Sequence, residues 1–89
     1  MADAFVYILR CGDDSLYTGW TVDLDRRLAA HAAGTASRYT RARLPVALAA
    51  SWELPDRTAA RREEARIKRL TRAEKLSLLA GAPRTTPRA

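Results

Sequence analysis

A chain of 89 residues makes one small domain, since it buries only roughly 60% of its unfolded surface and has no core to divide; 18 residues are alanine, which leaves 24 larger apolar side chains to pack. No apolar run approaches the ~20 residues of a bilayer span and no charged-then-apolar leader is visible, so a soluble cytoplasmic protein is expected, while the lone Cys11 and single histidine exclude an internal disulfide and a Cys/His zinc site. The net charge of +6 comes from residues 31–89, with thirteen basic and five acidic residues against three and five in residues 1–30, and fourteen of the sixteen basic residues are arginine, whose bidentate fork suits phosphate and points to a polyanion partner.

Phe5–Cys11 is a run of β-branched and aromatic residues, Gly12–Ser15 is rich in turn formers, and Leu16–Thr21 resumes the strand pattern. The spacing predicts a β-hairpin. Its first strand is apolar on both faces, with Phe5, Tyr7 and Leu9 against Val6 and Ile8, as in a central strand covered on both sides. Leu24, Leu28 and Ala32 predict a helix over Asp23–Ala33, with Gly34 just beyond it. Thr35–Leu44 has no regular period and ends at Pro45, which reads as an exposed basic loop. Val46–Trp52 reads as a third strand. Asp56 is placed to cap a helix from about Arg57 to Leu70, and Thr71-x-x-Glu74 is a capping box opening a last short helix that Gly81 ends. Residues 1–81 then form the domain, and 82–89, with Pro83 and Pro87, a frayed tail. The expected class is α+β, in the order β-β-α-β-α-α.

Some residues depart from what a scaffold requires. Arg27 and His31 lie along the stripe that Leu24 and Leu28 turn inward; as scaffold, Arg27 would pair with Asp23 and His31 would favour the helix C-terminus. With an even hairpin register Tyr7, Tyr17 and Gly19 share one face, and a glycine inside a strand marks a close approach. Ala60, Glu64 and Ile67 share a helix face, which directs Glu64 toward the packing side, with Glu63 beside it. An ion pair of Glu64 with Lys68 is the structural alternative.

These parts combine into a known pattern. Val6-Tyr7-Ile8, Leu16-Tyr17-Thr18-Gly19, Asp23-x-x-x-Arg27-x-x-x-His31 and a glutamate in a later helix resemble the GIY-YIG nuclease superfamily. The stretch Phe5–Leu79 is similar to its small single-domain bacterial branch, through Tyr-Ile-Leu-Arg-Cys, Leu-Tyr-Thr-Gly, Asp-Leu-x-Arg-Arg-Leu, Arg-Tyr-Thr-Arg and Ile-Lys-Arg-Leu-x-Arg-x-Glu-Lys in that order. The resemblance implies a three-stranded antiparallel sheet flanked by helices and a metal-dependent cut of a DNA phosphodiester. It places Tyr7, Tyr17, Arg27, His31 and Glu64 in the active site, with Glu64, or failing that Glu63, as the metal ligand. The first motif lacks the name-giving glycine, and the second reads Tyr-Thr-Gly.

In such a site one divalent ion, Mg²⁺ or Mn²⁺, sits on Glu64 and Arg27 forks onto the phosphate oxygens. Tyr7 is the first choice of base, as phenolate or relay, with His31 the alternative. Arg38, Tyr39, Arg41 and Arg43 of the basic segment, together with Lys68, are the candidate nucleic-acid contacts. Arg61, Arg62, Arg66 and Arg69 are a possible extension of that track. An aromatic among arginines suits a strand whose bases stack, and equally a clamp on duplex backbone. The partner expected is DNA, with a lean toward single-stranded or distorted forms; no membrane or protein partner is implied. Two other readings compete: a non-catalytic nucleic-acid-binding module, which has no use for a carboxylate beside phosphates, and an interaction protein whose arginine content reflects GC-rich codons.

Overall fold

The computed structural model describes residues 3–81. Strands β1 (Ala4–Arg10) and β2 (Leu16–Thr21) form the expected hairpin, followed by α1 (Leu24–Ala32), α2 (Arg38–Arg41), β3 (Ala47–Leu54), α3 (Arg57–Lys68) and α4 (Arg72–Gly81). The strands make one antiparallel sheet in the order β2-β1-β3, so the doubly apolar β1 is central. The α+β class and the β-β-α-β-α-α order of the main elements hold. One correction concerns the segment read as a loop, which contains the helical turn α2. Ser37 caps it, its hydroxyl oxygen accepting from the Thr40 N–H at 3.1 Å, and four residues are too few to show a hydrophobic period. The expected tail, 82–89, lies outside the described residues. No helix among the described residues is long and apolar enough to cross a membrane.

Strand alternation divides the sheet into two chemical faces. Ala4, Val6 and Ile8 pack with Ala60 and Ile67 of α3, ringed by Trp20, Trp52, Leu70 and Leu78. Ala60 and Ile67 stand two turns apart on one stripe of α3, and full burial of a side chain such as Ile67 contributes roughly 1.5–3 kcal/mol. Asp56 fixes the start of α3 by accepting from the Ala59 N–H at 2.7 Å. The capping box of α4 is reciprocal: Thr71 N donates to Glu74 Oε1 at 2.9 Å and Glu74 N to Thr71 Oγ1 at 3.1 Å.

Tyr7 and Leu9 bury on the opposite face, where α1 supplies His31. Helix α1 begins at Asp23, whose carboxylate accepts from the Arg26 N–H. It ends where Gly34 takes φ 79° and its N–H donates to the His31 carbonyl, a left-handed stop that favours glycine. Asp23 thus caps the helix rather than pairing with Arg27, whose side chain is left for the sheet edge.

Candidate active site

The register settles which side chains meet. Tyr7 lies directly opposite Gly19, and Leu9 opposite Tyr17, so Tyr7, Tyr17 and Gly19 do share a face. A Cβ on Gly19 would stand 2.5 Å from Tyr7 Oη and 2.7 Å from its Cζ; the missing side chain is the space that the phenol occupies. Tyr7 Oη lies 2.7 Å from His31 Nε2, and His31 Nδ1 lies 2.9 Å from Thr40 Oγ1. His31 and Thr40 are both 0% exposed, so the histidine is an internal member of a hydrogen-bonded chain and not a surface charge at a helix end. Tyr17 packs edge-on against the imidazole at 5.3 Å between centroids.

A cleft of ≈ 290 Å³ straddles the free edge of β2 and brings Tyr7, Tyr17, Arg27 and Glu64 together, with Arg57 at its rim. Glu64 is half-buried, and its Oε2 is 3.5 Å from Lys68 Nζ. Glu63 turns elsewhere, forking onto Arg66 at 2.7 and 2.8 Å, which holds its carboxyl below the usual range. Of the two glutamates, only Glu64 lines this cleft.

Burial raises the Tyr7 pKa well above that of an ordinary phenol, and the neighbouring Tyr17 adds to the rise, while Arg27 opposes it. Burial lowers the His31 pKa, helped by the positive charge of Arg27. Both groups are therefore neutral at pH 7. The unfolded chain takes up the histidine proton near pH 6.5 and the folded chain only at lower pH, so folding is most favoured above that value and loses stability as pH falls below it. The groups facing His31 are Tyr7, Tyr17, Thr40 and Arg27. Between pH 7.5 and 5 the wild type is expected to lose more thermal stability than His31→Gln, and equal losses in the two melting series would refute this coupling.

The model of the GIY-YIG catalytic domain matches residues 3–77. The chain belongs to that family. It is 51% identical over 80 residues to the UPF0213 protein XAC3202 of Xanthomonas axonopodis pv. citri, covering 90% of this chain and 78% of the relative. It is 50% identical over 76 residues to a UPF0213 protein of Streptococcus sanguinis, covering 85% and 87%. Among solved structures, the solution NMR structure of the UPF0213 protein BH0048 from Bacillus halodurans has TM-score 0.58 at 45% identity, over 86% of this chain and 82% of that one. That of EF2693 from E. faecalis has TM-score 0.60 at 35% identity, over 90% and 88%. These likenesses agree with a single-domain GIY-YIG protein and its three-stranded sheet; the relatives' names state no activity.

On this GIY-YIG domain the basic candidates divide into two groups. Arg38 and Arg41 are exposed beside a hollow formed with Thr35 and Ser37, and neither has an acidic partner among the described residues. Arg43 is engaged internally: its Nε donates to Asp13 Oδ2 at 3.0 Å, its Nη1 to the Tyr39 carbonyl at 3.0 Å, and its guanidinium lies 3.8 Å from the Tyr39 ring centroid. Tyr39 is partly exposed and stacks on Tyr17 at 5.7 Å, so the aromatic among arginines is tied to the site floor. Lys68 sits at the Glu64 carboxylate, which is the ion pair weighed as the structural alternative. Arg66 serves Glu63, while Arg61, Arg62 and Arg69 are exposed. Two residues escaped the sequence reading. Arg57 carries no motif signal, and Thr40 was legible only as the partner of Ser37 three residues earlier, a spacing suited to a hydroxyl cap.

Proposed function

We propose that this domain is a metal-dependent DNA endonuclease that hydrolyses phosphodiester bonds. The observation that carries the reading is the convergence, at one cleft, of a carboxylate, an arginine and a phenol hydrogen-bonded to a buried neutral imidazole. A module that only binds nucleic acid has no use for Glu64 at that position, because a carboxylate repels phosphate.

The donor set fits one hard divalent ion. Glu64 offers carboxylate oxygen at the cleft, and no cluster of three or more His, Cys, Asp or Glu side chains able to cage a metal occurs among the described residues. That suits Mg²⁺ or Mn²⁺, which retain water ligands, and is a poor site for zinc. Glu64 would hold such an ion, which would supply Lewis-acid polarisation of the phosphate and charge neutralisation at the leaving 3′ oxygen. Arg27 forks onto the non-bridging oxygens and Arg57 guards the rim. Tyr7 keeps its proton at neutral pH, which favours a relay over a standing phenolate. As the water oxygen bonds to phosphorus, its proton passes to Tyr7 Oη and the phenol's proton to His31 Nε2. The bond to the 3′ oxygen breaks, and that oxygen takes a proton from solvent. Tyr17 orients the attacking water and shields the imidazole.

The domain is too small to wrap a long duplex and presents no recognisable groove-reading element among the described residues, which supports single-stranded or distorted DNA as the preferred form. Faster cutting of duplex than of the matching single strand at equal salt would reverse that preference. Substrate contacts are expected from Arg38 and Arg41, with Tyr39 as a stacking surface and the half-exposed Lys68 able to turn from Glu64 to a phosphate. Arg38→Ala and Arg41→Ala should each lower DNA affinity and flatten the dependence of log K on log salt by roughly 0.7 on single strands. Arg43→Ala should instead lower the melting temperature with a smaller change in the salt slope. A larger salt-slope change from Arg43 than from Arg38 and Arg41 would reverse the assignment. The overall reading is tested by metal-dependent cleavage of labelled DNA with and without EDTA.

A further inference from the structure

His31 is the one histidine of the chain, it is fully buried, and both of its nitrogens are engaged. A neutral imidazole has one N–H and one lone pair, so one nitrogen donates and the other accepts. Which does which decides the direction of any proton relay through Tyr7. The partner that decides it is Thr40, a fully buried residue within the segment read from the sequence as an exposed basic loop.

Thr40 Oγ1 has three polar neighbours: His31 Nδ1 at 2.9 Å, Ser37 Oγ at 3.1 Å and the Ser37 carbonyl at 3.4 Å. Its single hydroxyl proton finds acceptors on Ser37, and the carbonyl there can only accept. Directed to Ser37, the Thr40 hydroxyl presents a lone pair to Nδ1, which must then carry the ring proton. Nε2 is left as the acceptor facing Tyr7. In this arrangement every buried proton of the chain has an acceptor inside the protein: Tyr7 to His31, His31 to Thr40, Thr40 to Ser37. The opposite tautomer points Nε2–H at Tyr7 and leaves the phenol proton only the cleft side to turn to, where the side chain is 1% exposed, a costlier choice for a buried donor than the imidazole.

We propose that Thr40 is a positioning residue that holds His31 as the Nδ1–H tautomer, so that Nε2 offers its lone pair to Tyr7. The inference rests on the nuclease reading for its consequence, though the tautomer itself exists without substrate. The Ser37-capped turn α2 is then a part of the relay, and its hydroxyl pair sets the direction in which the proton leaves Tyr7.

The test separates the two claims. Nitrogen-15 labelling of histidine gives one imidazole, so its two ring signals need no assignment among several residues. Above the histidine titration range, wild type and Thr40→Ser should both show a protonated Nδ1 and an unprotonated Nε2. Thr40→Val, which keeps the shape and loses the hydroxyl, should show the reverse or an exchanging mixture. Its kcat on DNA should fall roughly 10²-fold with KM little changed, and Thr40→Ser should restore most of it. A protonated Nε2 in wild type overturns the proposal. So does an unchanged ring in folded Thr40→Val, or a changed ring with full kcat. If Thr40→Val does not fold, the wild-type and Thr40→Ser spectra still decide the tautomer, and loss of kcat in a well-folded Thr40→Ser with an unchanged ring refutes the positioning role. Absence of DNA cleavage by wild type with the expected tautomer overturns the nuclease reading and, with it, the catalytic consequence drawn for Thr40.

Discussion

Glu64→Ala is expected to abolish metal-dependent cleavage while leaving the fold and DNA affinity nearly intact. Glu64 is half-buried and its one ion pair, with a half-exposed lysine at 3.5 Å, contributes little to stability. The carboxylate is also the one acidic group lining the Tyr7 cleft, so its removal takes away the proposed anchor for a divalent ion and, on that reading, several kcal/mol of charge stabilisation in the transition state. A loss of at least about 10³-fold in single-turnover rate is expected, each 1.36 kcal/mol being tenfold, and EDTA should impose a similar loss on wild type. Binding should hold or strengthen, because a negative charge has left a phosphate site. Glu63→Ala is the control: it breaks a surface fork with Arg66 and should cut normally. If Glu63→Ala is inactive and Glu64→Ala is not, the ligand assignment is reversed; if both cut in EDTA, the metal requirement fails.

Gly19→Ala should damage both stability and turnover, although it adds a single methyl group at a strand position where alanine is sterically ordinary. The added carbon would meet the hydroxyl and ring end of Tyr7 at 2.5–2.7 Å. That ring is held on the central strand and cannot leave without repacking the sheet face. Overpacking of this kind costs roughly 1–3 kcal/mol, and displacing Tyr7 from His31 adds about 1–3 kcal/mol for orphaned buried groups. If Tyr7 relays the proton, turnover should drop by roughly 10²–10⁴-fold. Tyr7→Phe should reproduce the catalytic loss without the overpacking cost. Thermal melts and single-turnover rates on the two variants separate the effects, and a Gly19→Ala protein that melts and cuts like wild type would show that the close approach is unimportant.

The sequence made some of this legible for definite reasons. Period-two alternation and an even hairpin register place Tyr7, Tyr17 and Gly19 on one face, and both follow from the identity of residues near in the chain. The stripe of α1 likewise marked Arg27 and His31. Burial of His31 was not legible, because it depends on Thr40, which reaches the imidazole only when α2 folds back over α1. Arg43 misled for a similar reason: its partner Asp13 lies thirty residues away, and no local pattern reports that pairing. The two glutamates differ by the hundred degrees between successive helix positions, and Arg66, one turn on from Glu63, decided which of them is engaged elsewhere. Element ends moved by small amounts where flanking contacts governed, with β3 running on to Leu54 because Ala4 pairs with it.

The order of the elements along the chain has a consequence for truncation. Tyr7 is on β1, the first of the described strands, but that strand is central, and β3 must pair with it before the sheet is closed. The cover for Val6 and Ile8, and the cleft carboxylate, come later still on α3. A polypeptide cut short before α3 therefore carries Tyr7 and Arg27 without the carboxylate proposed to hold the metal. If this domain cuts DNA, that capacity depends on α3 being docked on the sheet beside the hairpin.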